Sequence, residues 1–168
     1  KGTGEQAVNM IIDSRHRDGP FKDLFDFCAR VDKRLVNRRT IEALVRAGAF
    51  DALDPQRNRA ELLASVGIAM EAAEQAAANA HQSGLFDLGG TADPVRPDYV
   101  RARPWSERQR LLEEKQAVGF FLSGHPFNEV RPEVSRFVRR RLADIEPGRD
   151  LVLLAGIVVG TRTQMTRR

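Results

Sequence analysis

Lys1-Gly2-Thr3-Gly4-Glu5 sets two glycines one residue apart, directly before a stretch with helical periodicity. Glycine opens positive φ and leaves no side chain above the backbone. Such a turn can aim several N–H groups at one phosphate oxygen, and the helix N-terminus adds its dipole. That chemistry grips a nucleic-acid backbone and reads no base. A second unit repeats the plan: a helix, the basic turn Lys33-Arg34-Leu35-Val36-Asn37, then a helix opening with Arg38 and Arg39. Two such units in tandem suit the two strands of a duplex. The same pattern suits a four-helix bundle with ordinary surface arginines, and local pattern alone leaves the two readings even.

Gln82-Ser83-Gly84-Leu85-Phe86 carries a different chemistry. A glutamine side chain both donates and accepts hydrogen bonds, and Leu85 and Phe86 have the size to fill an apolar pocket in a partner. Glycines and prolines surround them, so either they fold back on the preceding helix or they serve another protein. The remaining reactive side chains form no pattern. His16, His81 and His125 stand far apart, and Asp13, Asp18, Asp23, Asp26 and Asp32 fit helix surfaces and turns. No metal site is expected from them. Cys28 is the single cysteine, which fits a reducing compartment.

The elements that must position these groups are mainly helical. Apolar stripes predict short helices over Gln6–Arg15, from Leu24 to about Asp32, and from Arg38 to Ala47, the last stopped by Gly48. Asn58 and Glu61 have capping-box spacing and open a long helix to about Ala80, with Leu62, Leu63, Val66, Met70, Ala73 and Ala77 on its buried face. Gly84–Pro104 reads as a loop or linker. Ser106 and Gln109 form a second capping box, before a helix that runs into Ser123-Gly124-His125-Pro126-Phe127, read as a helix-ending turn. A short helix is expected over Asn128–Val138, and after Pro147-Gly148 the Val- and Ile-rich Leu151–Val159 reads as a strand.

Composition narrows the class. Of 168 residues, 42% are hydrophobic and 30% charged, as in globular chains. No apolar run approaches the roughly 18 residues of a membrane span. The net charge is +4 and uneven: Lys1–Phe50 holds ten Lys and Arg against seven Asp and Glu, Asp51–Val100 three against eight, and Arg131–Arg168 nine against four. The ends, not the middle, are thus expected to face a polyanion. The abrupt start at Lys1 and stop at Arg168 suggest a piece of a longer chain.

Several long stretches resemble one family. KGTGEQAVNMIIDSR, GPFKDLFDFCARVDKRLVNRRTIEALVRAGAFDAL, EKQAVGFFLSGHPF and LVLLAGIVVGTRTQMTRR are similar to the alpha subunits of bacterial DNA polymerase III, the C family of replicative DNA polymerases. The resemblance implies a tandem helix-hairpin-helix element over residues 1–53 that holds duplex primer-template DNA. Its first hairpin would be Gly2, Thr3, Gly4 and Glu5. Its second would be Lys33, Arg34 and Asn37 with Arg38 and Arg39. Thr3 departs from the bulkier aliphatic residue common in such hairpins. Residues 54–83 would complete a clamp-binding domain, with Gln82, Leu85 and Phe86 engaging the sliding clamp, the beta subunit. Residues 84–104 would be a linker, 105–148 a helical connector, and 149–168 the first strands of a truncated OB-fold. The full-length protein would be a cytoplasmic nucleotidyltransferase with magnesium held upstream, working beside other holoenzyme subunits. The alternatives are a helical adaptor without DNA binding, or the same region of an error-prone C-family polymerase.

Overall fold

Capping chemistry sets most helix boundaries. The computed structural model describes residues 3–82, 96–158 and 160–165, with backbone only for 80–82. Helix α1 spans Glu5–Asp18 and α2 spans Leu24–Arg30, where the Asp23 carboxylate accepts from the Asp26 amide at 2.7 Å. Helix α3 spans Arg38–Arg46, opened by Asn37, whose side-chain oxygen accepts from the Thr40 amide at 3.1 Å. Helix α4 spans Arg59–Gln82 and begins with the full reciprocal box: Glu61 N–H donates to Asn58 Oδ1 at 3.0 Å, and Asn58 N–H donates to Glu61 Oε2 at 3.2 Å. Helix α5 spans Glu107–Val118, capped by Ser106 accepting from the Gln109 amide at 3.2 Å.

The chain divides into two units, Lys1–Leu122 and Ser123–Arg168. In the first, α4 is the central helix and packs on α2 and α3, while α5 packs on α3. Leu62, Val66, Ala69 and Ala73 form its buried stripe, with Leu63 and Met70 partly covered and Ala77 exposed. Leu24, Phe27, Ile41, Val45 and Phe50 meet this stripe, and the Phe27 and Phe50 rings stand edge to face with centroids 5.1 Å apart. Each fully buried side chain of this size contributes roughly 1.5–3 kcal/mol of apolar transfer. Cys28 lies within this core, and burial pushes its thiol pKa up to about 12, so it stays protonated at neutral pH.

Two arginines tie the helices at their ends. Arg30, on α2, donates to the carbonyls of Ser14 at 2.8 Å, Gly19 at 2.7 Å and Pro20 at 3.2 Å, and to Asp26 Oδ2 at 3.1 Å. Its guanidinium also lies over the Phe21 ring at 4.2 Å. The end of α1, the following turn and α2 are therefore one knot. Arg59, at the start of α4, donates to Glu114 Oε1 at 2.9 Å, the Arg46 carbonyl at 3.2 Å and Asp51 Oδ2 at 2.6 Å. Glu114, on α5, is wholly buried, and its second oxygen accepts from the Leu122 amide at 3.2 Å.

Three expectations meet the structure differently. Residues 96–104 are loop without helix or strand, as expected, but pinned to the helices: the Val100 amide donates to Ser65 Oγ at 2.9 Å, Asn58 Nδ2 to the Ala102 carbonyl at 3.3 Å, and Arg96 to Asp23 at 2.7 Å. Tyr99 packs edge-on to Phe25 at 5.1 Å and under Arg57 at 4.8 Å. This strap follows α4 without periodicity of its own, so no pattern marks it; residues 84–95 lie outside the described residues. Second, His125 starts a helix rather than ending one, its Nδ1 accepting from the Phe127 amide at 3.1 Å ahead of α6, Phe127–Val134. Third, no strand occurs among the described residues, and Leu151–Val158 forms no regular secondary structure, with Leu151 and Val158 exposed. Val and Ile favour a strand only where a neighbouring strand supplies the hydrogen-bond ladder and a packed face, and the OB-fold strands expected over 149–168 have neither here. No described helix is long and apolar enough to cross a membrane.

Gly48 closes α3 at φ +84°, and a Cβ there would collide with the Arg59 guanidinium. Gly48→Ala therefore combines left-handed strain with displacement of the buried ion pair, and should destabilise the chain by more than about 2 kcal/mol. Gly4→Ala, with open space around it, should change stability by less than about 0.5 kcal/mol. Urea unfolding of the two variants compares them directly.

Candidate nucleic-acid interface

The first predicted hairpin reaches the structure at Thr3; Gly2 lies outside the described residues. Gly4 is the N-cap of α1 with φ −74° and ψ 159°, and its carbonyl accepts from the Ala7 amide at 3.1 Å and the Val8 amide at 3.2 Å. The positive φ expected of this glycine turn is absent at Gly4, because an N-cap residue takes an extended backbone that any residue adopts. Its lack of a side chain has another consequence. A Cβ at Gly4 would meet nothing within 4 Å among the described residues, so Gly4 itself faces open space. No side chain caps α1 either, in contrast to α2, α3 and α5, whose first turns Asp23, Asn37 and Ser106 cap. The leading amides of α1 lie beside a surface that a large anion can approach closely. Glu5, in the first turn, is exposed, and its carboxylate puts one negative charge beside that surface.

The second hairpin is built differently. Its turn is folded by the Asp32 carbonyl, which accepts from the Leu35 amide at 3.0 Å and the Val36 amide at 2.8 Å, with Val36 fully buried beneath. Asn37 is spent on capping α3, since its Oδ1 faces both the amide and the hydroxyl of Thr40. Lys33 turns inward: its ammonium donates to the Met70 carbonyl at 2.8 Å and pairs with Glu74 at 3.2 Å, both on α4. It holds the hairpin against α4 rather than reaching outward.

Three cations remain on the outer surface. Arg34 is 89% exposed and forks onto Asp32 at 2.8 and 3.1 Å; these hydrogen bonds hold the Asp32 carboxyl below its usual range and raise the arginine. Arg38, 65% exposed, donates to Glu42 at 2.8 Å, one turn along α3. Arg39 is exposed and makes no ion pair among the described residues. Sequence spacing could have revealed Glu42, four residues from Arg38; nothing local reveals that Lys33 meets a carbonyl 37 residues away.

Of the second interaction motif, Gln82 is the last residue of α4. Its side chain, Leu85 and Phe86 lie outside the described residues. Among the described residues no group of three or more His, Cys, Asp or Glu side chains gathers as a metal site requires.

Two exposed turns each open a helix, the first through Gly4 without a side-chain cap and the second through a basic turn, as in helical hairpins. The helix-hairpin-helix motif model matches residues 1–61. Along its whole length the chain is homologous to DNA polymerase III alpha subunits. It is 50% identical over 169 residues to that of Neisseria meningitidis serogroup A, 42% over 186 residues to that of Pseudomonas aeruginosa, and 38% over 175 residues to that of Escherichia coli K12. All of this chain is covered in each case, against 14%, 16% and 15% of those relatives, so it corresponds to a small segment of them.

The inward Lys33 has a measurable signature. Lys33→Met, which keeps the stem and loses the ammonium, should lower unfolding stability by about 1 kcal/mol, as loss of a charged hydrogen bond requires. Arg39→Ala should stay within about 0.5 kcal/mol of the parent. Equal, negligible effects in urea titrations would remove Lys33 from its anchoring role.

Proposed function

We propose that this chain is the segment of a bacterial replicative DNA polymerase that holds the duplex by its phosphates and tethers the enzyme to the sliding clamp. The observation that carries the reading is the start of α1: a helix N-terminus with no side-chain cap, entered through a glycine whose missing side chain nothing in the fold needs. Homology to DNA polymerase III alpha subunits supports the same reading. Phosphates of one strand would meet the amides after Gly4, and those of the other would meet Arg34, Arg38 and Arg39, with Asn37 and Lys33 holding the second turn in place.

On this reading Gln82, Leu85 and Phe86 are the clamp contact, the whole protein is a DNA-directed DNA polymerase of the bacterial cytoplasm, and its nucleotidyl transfer with magnesium belongs to residues outside this chain. Leu151–Arg168 would enter an OB-fold completed by further chain, and other holoenzyme subunits would bind elsewhere.

Fluorescence anisotropy with a labelled duplex tests the grip. Binding should fall steeply with salt and show little sequence preference, each phosphate contact contributing a slope of about 0.9 in log K against log salt. Arg39→Ala should reduce that slope by about 0.9, and Gly4→Val should weaken binding several-fold with the melting curve unchanged. No binding at low salt would overturn the proposal, and clamp capture without it would favour the adaptor reading.

Clamp capture is tested by pull-down with the beta subunit. Leu85→Ala with Phe86→Ala should abolish it, and capture that survives the double substitution would show that the contact lies elsewhere.

A further inference from the structure

Arg34 and Arg38 are each already bound to a carboxylate of their own hairpin. Arg34 donates from Nη2 to Asp32 Oδ2 at 2.8 Å and from Nε to Asp32 Oδ1 at 3.1 Å. That is the planar two-pronged geometry with which a guanidinium meets a phosphate. Arg38 Nε donates to Glu42 Oε1 at 2.8 Å. Before either arginine can reach DNA fully, it must give up that carboxylate.

Neither carboxylate would be stranded by the exchange. Asp32 Oδ1 also accepts from the Arg34 backbone amide at 2.9 Å, a bond that does not depend on the side chain. Glu42 Oε2 lies 3.6 Å from Arg46, which in turn donates to Glu113 on α5 at 2.8 Å. Asp32 thus keeps a second donor and Glu42 a second cation, and the departing arginine leaves no buried charge unpaired. Arg39, on the same helix, has no such competitor among the described residues.

We infer that Asp32 and Glu42 are internal stand-ins for phosphate, which pre-shape Arg34 and Arg38 and temper the affinity of the second hairpin for DNA through partner exchange. The inference rests on the duplex-binding reading above and adds its regulation. Arg39 makes the first, unopposed contact, and Arg34 and Arg38 transfer only to an anion whose local field exceeds that of one carboxylate. A phosphodiester backbone meets that condition by its charge density, whereas an isolated acidic side chain does not. The exchange favours a grip that releases and re-forms as the duplex moves.

The test is a double-mutant cycle on duplex affinity, measured by anisotropy on the 168-residue chain at fixed salt. Exposed ion pairs of this kind are weak, so Asp32→Asn and Glu42→Gln should each tighten binding by about two- to fivefold. In an Arg34→Ala background the Asp32→Asn gain should vanish, and in an Arg38→Ala background so should the Glu42→Gln gain. A gain that persists in the alanine backgrounds reflects only one less negative charge near DNA and overturns the exchange. So does the absence of any gain in a parent that binds duplex and is weakened by Arg34→Ala or Arg38→Ala. If no variant binds duplex at low salt, the failure is that of the duplex reading itself.

Discussion

The buried contact of Arg59 with Glu114 is the constraint on which the first unit depends. Glu114 has no solvent exposure, and an isolated carboxylate at that depth would be strongly unfavourable. Arg59 supplies the opposite charge and spends its remaining donors on Asp51 and on the last carbonyl of α3. Asp51's hydrogen bonds push the guanidinium pKa above its ordinary value despite its burial. One side chain at the first residue of α4 thus fixes α3, the turn after it, and α5. Only a glycine at position 48 leaves room for the guanidinium, which joins a backbone requirement to an electrostatic one.

With α4 fixed at its start, the two hairpins are held by unlike means. The first depends on Arg30, which gathers three carbonyls around the end of α1 while the start of that helix stays uncapped. The second has its own cap in Asn37 and an anchor in Lys33, and keeps its arginines outside. The division follows from the chemistry each end offers. Backbone amides need a bare, close approach, which only absence of side chains provides, whereas guanidinium groups reach from a turn that must itself be rigid.

Local chemistry was legible in the residues themselves. The Asn58–Glu61 box, the cap at Ser106, and Gly48 as a stop are all short-range signals, and the helices begin and end within a few residues of where those signals put them. Contacts made across the fold were not. Lys33 is basic and sits in a turn, so it reads as a phosphate ligand until Met70 and Glu74 are seen beside it. Residues 96–104 lack periodicity because Tyr99 and Val100 are fitted one by one to α2 and α4. Leu151–Val158 shows the opposite failure: strand composition is local, but strand formation needs a second strand.

Lys33 also bears on how grip and tether are related. It binds α4 at Met70, and α4 continues unbroken to Gln82, where the proposed clamp contact begins. At 1.5 Å per residue the two points are roughly 18 Å apart along one helix axis. An unbroken helix transmits that spacing with little give, so on the proposed reading the second hairpin and the root of the clamp tether are held at a set distance. Duplex emerging past the hairpin would then meet a clamp whose attachment is positioned relative to it.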